Sequence, residues 1–341
     1  MTRDLVLTIA RECGFELAGI AAAVPSIDSA RYHAWVDSGM AGAMSYLTDR
    51  RATVRDEPRN LLNSVQSILC VGKLYNGPEP DSTRFSESGR AWISRYAWGD
   101  DYHDVLRAGL TRVVDRLREH TDFEYKICVD TAPLLERSYA RDAGLGWIGK
   151  NTCLINQQRG SWFFLGELLL SIRLEANTPP PDRCGTCTRC IEACPTDAII
   201  PFEGRYAVDS RLCISYLTIE LRTGIPEALR PGMGNHVFGC DICQDVCPWN
   251  SRAPNDADSE FSPRHFAPPL DELASISEAE FRTVFAGSPI NRARYSGFLR
   301  NVAIAMGNSG EPRFQKHLES LAKSTEAMVA ETARWALERA Q

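Results

Sequence analysis

The chain has 341 residues, of which 44% are hydrophobic and 24% are charged, and its formal net charge is −6. This composition is typical of a globular protein with two or three domains, and no apolar run is long enough to cross a membrane. The negative charge argues against a generic nucleic-acid binder but does not exclude a local basic patch.

Residues 1–175 alternate between helix and strand patterns. Apolar side chains at helical spacing predict a helix over residues 101–120. Apolar or alternating runs predict strands over 64–75, 123–133, 151–156 and 161–172. We therefore expect an α/β domain in this part of the chain.

A glycine motif, GLGWIG, occupies residues 144–149. It matches the G-x-G-x-x-G pattern, which binds dinucleotides only when a strand precedes it and a helix follows. Here a charged, helix-like segment precedes it and a strand-like segment follows. We expect a loop in which the backbone passes close to its neighbours.

A cysteine run follows the proline-rich break at residues 174–183. It reads CGTCTRCIEACP, with cysteines at positions 184, 187, 190 and 194. This is the C-x2-C-x2-C-x3-C-P spacing that binds 4Fe–4S clusters, in which the fourth cysteine ligates the other of two clusters.

A second run, CDICQDVCP, places Cys240, Cys243 and Cys247 in the last three positions of the same pattern. The first position is occupied by Val237, and Cys213 is the natural substitute. The prediction is cluster one on Cys184, Cys187, Cys190 and Cys247, and cluster two on Cys194, Cys213, Cys240 and Cys243.

Zinc and disulfides are the alternatives for these cysteines. The third cysteine of the first run and the two Cys-Pro endings fit zinc poorly. Disulfides need an oxidising compartment, whereas Arg11 and Glu12 interrupt the apolar stretch of residues 1–20, so we expect no signal peptide and a cytoplasmic protein. The remaining cysteines are expected to be small buried hydrophobic residues: Cys13, Cys70, Cys128 and Cys153.

The chain after the second cysteine run begins with a polar, proline-rich linker at 251–269 and becomes helical from residue 270. Two short amphipathic stretches, 297–310 and 331–340, suggest helical hairpins of the HEAT type, with a plain helical cap as the alternative.

Segments from almost the whole chain resemble the epoxyqueuosine reductase family in the same order. They are RYAWGDDYHDVL (95–106), VDTAPLLERSYARDAGLGWIGKNTCLI (129–155), GSWFFLGELL (160–169), the two cysteine runs, FGCDICQDVCPWN (238–250) and FLRNVAIAMGN (298–308).

The resemblance implies an α+β multidomain protein. Its parts would be a nitroreductase-like α/β domain that binds cobalamin and is catalytic (1–175), a ferredoxin-like domain with two 4Fe–4S clusters (176–255) and a helical HEAT-like region (256–341). It implies reduction of epoxyqueuosine to queuosine at the wobble position of tRNA. Cobalamin rests on the resemblance alone, because no D-x-H-x-x-G stretch is present.

The resemblance also implies site residues. Asp130 matches the family's proton donor, and burial against a corrin would raise its pKa above the ordinary 3.9 and keep it protonated. The further cobalamin contacts would be Arg55, Tyr96, Arg141 and Ser215. Candidate contacts to tRNA phosphates are Arg211 and Arg222. His103 and His236 are as readily structural as functional.

Two other functions stay open at this point. A cobalamin-dependent reductive dehalogenase would use the same site logic on a small halogenated substrate. A ferredoxin-type electron carrier would not need an α/β domain of about 175 residues before its clusters. Besides tRNA, we expect an electron donor such as a flavodoxin or ferredoxin, no membrane, and a monomer.

Overall fold

A computed structural model of the protein describes residues 1–85, 89–255 and 259–339. Within these ranges the strands are β1 (Leu17–Ala22), β2 (Ser67–Leu74), β3 (Trp92–Ile93), β4 (Tyr125–Cys128), β5 (Trp147–Ile148), β6 (Leu154–Ile155), β7 (Phe163–Leu170), β8 (Ile199–Phe202), β9 (Arg205–Val208) and β10 (His236–Phe238).

The helices are of very unequal length. In chain order they are α1 (Arg3–Glu12), α2 (Ser29–Asp37), α3 (Ser45–Thr48), α4 (Arg51–Val54), α5 (Tyr102–Arg118), α6 (Glu136–Asp142), α7 (Arg189–Glu192), α8 (Ile214–Ile219), α9 (Ile242–Asp245), α10 (Leu270–Ser275), α11 (Glu278–Val284), α12 (Tyr295–Ser309), α13 (Gln315–Leu321) and α14 (Ala327–Arg339).

An antiparallel sheet with the strand order β1-β2-β7-β4 organises the first half of the chain. The predicted strands over 64–75 and 161–172 are confirmed as β2 and β7, which are apolar on both faces because helices cover both sides. The predicted strand over 123–133 is shorter than expected, since β4 ends at Cys128 and the chain then turns. The expected strand over 151–156 is reduced to β6.

Two helical layers cover this sheet. One face packs on α1 and α5, and the aromatic ring of Phe15 fills the space beside Gly109 of α5. The predicted helix over 101–120 is confirmed as α5. The other face packs on α6, whose end approaches so closely that a Cβ at Gly19 would lie 2.0 Å from the Ala143 carbonyl oxygen.

As expected from sequence, α6 precedes the GLGWIG segment and a strand, β6, follows it, but the segment is not a plain loop, because its residues Trp147–Ile148 form β5, which pairs with β6. A Cβ on Gly146 would lie 2.3 Å from the Ile155 carbonyl oxygen, so glycine is required there. The residue that directly follows the segment, Lys150, contacts the cysteine-rich region. Lys150 Nζ donates to the carbonyls of Gly185 and Cys187, at 2.8 and 2.9 Å.

The C-terminal helices α10 to α14 form a second core that also contains the tryptophans of residues 91–98. Strand β3 pairs in parallel with β10, which joins the first half of the chain to the cysteine-rich region. The predicted boundaries at 175 and 255 therefore stay predictions, because elements from both sides of them share this core.

A fully buried arginine ties α12 to α8. Arg300 is completely inaccessible and donates to the carbonyls of Leu217, Leu221 and Thr223, which satisfies carbonyl groups in the last turn of α8 and just beyond it. The neighbouring Asn301 donates to the Thr218 carbonyl. The helical region thus fixes the element that begins directly after Cys213.

No helix in the described ranges combines the length and the apolar character needed to cross a bilayer.

Candidate active site

The eight cysteines of the two sequence runs come together in two groups. In the first, Cys190 lies within electrostatic range of Cys184, Cys187 and Cys247. These are the four cysteines predicted to hold cluster one. Helix α7 carries Cys190 of the first run and helix α9 carries Cys243 of the second run. The two helices pack against each other, which brings the cysteines of the two runs together.

The second group contains the other four. Cys240 lies within electrostatic range of Cys194 and Cys213, and Cys243 lies within range of Cys240 and Cys213. Cys213 therefore takes the place that Val237 leaves open, while Val237 itself is buried in the core. The sequence pattern located this substitute by elimination alone.

The four remaining cysteines differ. Cys70 and Cys128 are fully buried, as expected of small hydrophobic residues. Cys13 is only partly buried, at the end of α1. Cys153 is also only partly buried, and its thiol lies beside the Cys243 thiol at the second group, so the expectation of full burial is wrong for both Cys13 and Cys153.

The geometry of the groups does not suit a single ion. Among the described residues, no three His, Cys, Asp or Glu side chains come close enough to ligate one metal ion. All twelve cysteines lie in the described ranges and are free thiols. The spacing of the two runs, with its third cysteine and two Cys-Pro endings, is what favours 4Fe–4S clusters over tetrahedral zinc.

A separate cleft is built around Asp130, two residues after β4. Asp130 has a positive φ of 46°, which is unusual for a residue other than glycine. The Thr131 N–H bonds back to the Val129 carbonyl, so Asp130 is the central residue of a γ-turn. The turn directs the carboxyl into the cleft, where its side chain keeps 39% of its accessibility although protein surrounds it.

Two cations hold the Asp130 carboxylate. His103 Nε2 lies 3.2 Å and Arg292 Nη1 lies 3.3 Å from Asp130 Oδ2. His103 is held from its other side by Asp101, whose Oδ1 lies 2.6 Å from Nδ1. Asp101 also caps the N-terminus of α5 by accepting the His103 N–H, so one residue starts the helix and orients the imidazole.

Arg292 comes from the turn at Pro289–Ala293, 162 positions after Asp130 in the chain. Its Nε donates to Glu220 Oε1 at 2.8 Å, and its Nη2 lies 3.4 Å from the Tyr46 hydroxyl. The sequence analysis did not identify Arg292, Glu220 or Tyr46. No local motif marks them: Tyr46 lies in α3, Glu220 directly follows α8, and Arg292 lies within the Pro289–Ala293 turn.

The protein's own groups shift the pKa of Asp130 in the direction opposite to the expected rise. Burial acts to raise its pKa, but the hydrogen bond from His103 and the charge of Arg292 outweigh burial and hold the pKa well below 3.8. With the protein's own groups alone the direction is thus a lowered pKa, and the rise expected from burial against a corrin stays a prediction. The proton lies on its neighbour: burial lowers the pKa of His103, but Asp101 and Asp130 outweigh burial and raise it to about 9.

Raised carboxyl pKa values occur directly behind Asp130. Burial and the charge of Asp130 raise the pKa of Glu136, the first residue of α6. Burial raises the pKa of Glu167 well above its ordinary value, with Glu136 and Asp130 adding to the effect. Glu167 is completely inaccessible in β7, and neither carboxyl oxygen has a hydrogen-bond partner among the described residues.

Tyrosines line the same cleft. Tyr96, predicted from sequence, packs on Phe238 and Phe164 and lies within electrostatic range of Asp130 and Arg292. Tyr102 stacks on His103 and Phe164, with ring centroids 4.1 and 4.4 Å apart, and its hydroxyl bonds to the Asp130 carboxyl.

The predicted arginines Arg55 and Arg141 already have protein partners. Arg55 is buried and donates to the carbonyls of Tyr46 and Arg51. Arg141 forms an ion pair of 2.6 Å with Asp28. Their role at a cofactor stays a prediction.

The other predicted contacts are distributed around α8. Ser215 is partly buried and bonds to the Cys213 thiol. Arg211 is paired with Asp209 at 2.6 Å, whereas Arg222 donates to the carbonyls of Ile219 and Ala293. His236 is buried against the Met233 carbonyl, and burial lowers its pKa to about 4, which indicates a structural role.

Helix α8 connects the two sites. It begins directly after Cys213, a member of the second cysteine group, and ends before Glu220, which pairs with Arg292 of the Asp130 cleft. A helix of this length spans about 9 Å. The second cysteine group and the Asp130 cleft are therefore linked through one short helix and the Glu220–Arg292 ion pair.

Comparison with protein-family models identifies two parts of the chain. Residues 183–250 match "4Fe-4S double cluster binding domain". Residues 55–131 match "Epoxyqueuosine reductase QueG, DUF1730". The first match covers all eight grouped cysteines.

Similar proteins cover nearly the whole chain. The epoxyqueuosine reductase of Xanthomonas campestris is 41% identical over 97% of this chain and 94% of its own length. That of Pseudomonas aeruginosa is 39% identical over 96% of this chain and 92% of its own.

Solved structures show the same architecture. A crystal structure of epoxyqueuosine reductase with an epoxyqueuosine-modified tRNA-Tyr stem loop has a TM-score of 0.91 and 29% identity, covering 99% of this chain and 89% of that one. The enzyme from Bacillus subtilis, solved with its aspartate-bearing catalytic loop swung out of the active site, has a TM-score of 0.89 and 28% identity, covering 99% and 90%.

Proposed function

This chain belongs to the epoxyqueuosine reductase family of oxidoreductases, and we propose that it reduces epoxyqueuosine to queuosine at the wobble position of tRNA. The observation that supports this most is the position of the Asp130 cleft, one short helix away from the second cysteine group. The Asp130 cleft, which supplies protons, and the second cysteine group, which supplies electrons, can then act on the same substrate.

The reaction needs both. Loss of the epoxide oxygen as water, with formation of an alkene, consumes two electrons and two protons. The two cysteine groups belong to a double-cluster domain, and each 4Fe–4S cluster passes one electron at a time. We assign cluster one to the group with Cys247 and cluster two to the group with Cys213, which is the nearer to the cleft.

The cleft also suits cobalamin. It is open enough to leave Asp130 and Arg292 more than one third accessible, and the rings of Tyr96 and Tyr102 lie in its wall. Ser215 lies at its cluster side. When bound, cobalamin would supply a cobalt centre that takes single electrons from the clusters and delivers them to the strained ring.

The protein's own acid is the pair of His103 and Asp130. His103 holds the proton at neutral pH, and Asp101 keeps the imidazole directed at Asp130. Asp130 Oδ2 is 3.2 Å from His103 Nε2 and open to the cleft, so it takes this proton from the imidazolium, passes it to the departing oxygen and returns to the carboxylate, leaving His103 neutral. Arg292 keeps Asp130 ionised until a substrate occupies the cleft.

The partners follow from the reaction. The substrate is tRNA with a queuosine-precursor wobble base, with Arg222 as a phosphate contact, and the electrons come from a flavodoxin or ferredoxin. The first 175 residues would act as the nitroreductase-like catalytic domain, residues 176–255 as the ferredoxin-like domain and residues 256–341 as the HEAT-like region.

The test is turnover by reconstituted protein. Protein with both clusters and cobalamin, given a low-potential one-electron reductant, is expected to convert epoxyqueuosine in tRNA to queuosine, as measured by mass spectrometry of the nucleosides. The Cys213→Ala variant, which removes one ligand next to the cleft, is the matched control and should be inactive. Unchanged epoxyqueuosine together with turnover of a halogenated aromatic would overturn the proposal in favour of a dehalogenase.

A further inference from the structure

The backbone at Asp130 is in a conformation that the residue does not favour. A γ-turn with its central residue at positive φ is strained, and such a turn persists only where its surroundings hold it. The side-chain contacts to His103 and Arg292 are made in an accessible cleft and are long, at 3.2 and 3.3 Å. They are weak restraints on the backbone.

A shorter contact lies on the other side of the turn. The Asp130 N–H donates to Glu136 Oε1 at 2.5 Å. Glu136 is the first residue of α6, which packs firmly on the sheet through Tyr139 and Ala140. The acceptor is therefore carried by a rigid element, whereas the turn that it contacts is part of a loop.

The surroundings of Glu136 explain how a carboxyl can take this place. Glu167 lies behind it on β7, between its cross-strand neighbours Cys70 and Cys128. The charged groups that face Glu136 are Asp130 on its loop, Arg137 on its own helix, His103 on α5 and Glu167 on the sheet. With burial and the charge of Asp130 acting on it, Glu136 has a pKa raised to about 8 and is mostly neutral at pH 7.

We propose that Glu136 is a positioning residue for Asp130: by accepting the Asp130 N–H it holds the γ-turn that directs the Asp130 carboxyl toward His103 and Arg292. The side chain acts as a neutral hydrogen-bond acceptor on a rigid helix. The catalytic consequence rests on the proposed function, while the positioning itself does not.

The test compares Glu136→Ala with Glu136→Gln. Glutamine keeps the acceptor oxygen and the neutral state, whereas alanine removes both. The first measurement is an NMR titration of His103 in the cluster-containing protein without cobalamin or tRNA, with the resonance assigned from His103→Gln.

We expect Glu136→Ala to release the turn. The Asp130 carboxylate then leaves His103, and the pKa of His103 falls from about 9 part of the way toward its ordinary value of about 6.5. Glu136→Gln should leave the titration in place. In the loaded enzyme, kcat should fall about 10- to 100-fold in the alanine variant with KM little changed, and glutamine should restore it to within about threefold, because misplacing a reacting group by about 1 Å costs this much.

Glu119→Ala, an exposed glutamate at the end of α5, is the matched control and should change neither measurement. An unaltered His103 titration in folded Glu136→Ala would overturn the proposal. If alanine prevents folding, the glutamine variant decides, since a shifted His103 titration there would show that charge and not the acceptor is required. The titration needs no tRNA, so it separates failure of this inference from failure of the proposed reaction.

Discussion

Asp130, Glu136 and Glu167 form a row of three carboxyl groups that runs from the cleft into the sheet. The two at its ends, Asp130 and Glu167, have opposite environments. Asp130 is partly accessible and lies between His103 and Arg292. Glu167 is completely inaccessible, and no described residue bonds to its oxygens. The pKa of Asp130 is lowered because paired cations outweigh burial, whereas the pKa of Glu167 is raised because burial acts without a cation.

The difference shows that depth and partners, not residue type, decide which carboxyl carries the proton. The cleft side holds a charge that is matched and accessible to solvent. The sheet side holds a neutral acid in an apolar layer, where an ionised carboxylate without a partner would be very unfavourable. Glu136 lies between them and takes part in both environments.

The largest expected effect comes from removing the carboxyl at the cleft. Asp130→Asn keeps the size of the side chain but cannot pass a proton from His103 to the departing oxygen. We expect single-turnover loss of epoxyqueuosine to slow by about two to four orders of magnitude, the usual scale for a positioned general acid.

The control for Asp130→Asn is made in the same sample. Both clusters and cobalamin uptake, followed by absorption spectra, should be unchanged, because asparagine occupies turns as well as aspartate does. Near-normal turnover would mean that the proton comes from another group, and loss of cobalamin uptake would assign Asp130 to binding.

A smaller effect is expected when one cation is removed. Arg292→Gln leaves Asp130 with His103 alone, so the pKa of Asp130 rises and the acidic limb of the rate profile moves to higher pH. Asp130 and Arg292 are both more than one third accessible, so losing this pair should cost no more than about 1 kcal/mol, and the mostly buried Glu220, which also loses its partner, adds to that cost. An unshifted profile would contradict the assignment of Arg292 as the group that keeps Asp130 ionised.

The buried carboxyl group of Glu167 should affect how the free energy of unfolding depends on pH. The folded-state pKa of Glu167 is raised, so its contribution to stability is full below the ordinary value of 4.5 and is lost as the pH rises toward the folded pKa. Relative to Glu167→Gln, the wild type should lose stability between pH 5 and pH 8, measured as urea midpoints. Parallel curves for the two proteins would show that Glu167 is ionised or solvated.

The smallest effect concerns tRNA. Arg222 donates only to carbonyls and keeps its charge unpaired by any described carboxylate, whereas Arg211 is neutralised by Asp209. We expect Arg222→Ala to weaken tRNA binding by severalfold and to lower the salt slope by about 1, and Arg211→Ala to change less. Equal effects of the two variants would contradict this ranking.

The sequence predicted more of the two cysteine groups than of the Asp130 cleft. The cysteine spacing predicted which residues form each group, since cluster binding requires neighbouring thiolates at short intervals. The cleft draws on Asp101, Asp130, Glu220 and Arg292, which tertiary packing alone brings together.

Asp130 could be identified only because it matches the proton donor of the resembling family, and the direction of its pKa could not be predicted from sequence. That direction depends on Arg292, far along the chain, and on an imidazole that the Asp101 cap orients. An acidic residue two positions before a histidine at a predicted helix start is a local signal that could have singled out His103, but the sequence analysis did not use it. Glu167 carried a weaker signal, a single charge in an apolar strand.

The central claim is that Asp130 is ionised and Glu167 is protonated. The most direct test is infrared difference spectroscopy of the carboxyl groups at pH 7, comparing H2O with D2O. The wild type is expected to show a protonated-carboxyl band. That band should persist in Asp130→Asn and lose intensity in Glu167→Gln. A band that disappears in Asp130→Asn and persists in Glu167→Gln would place the proton on Asp130 and contradict the account.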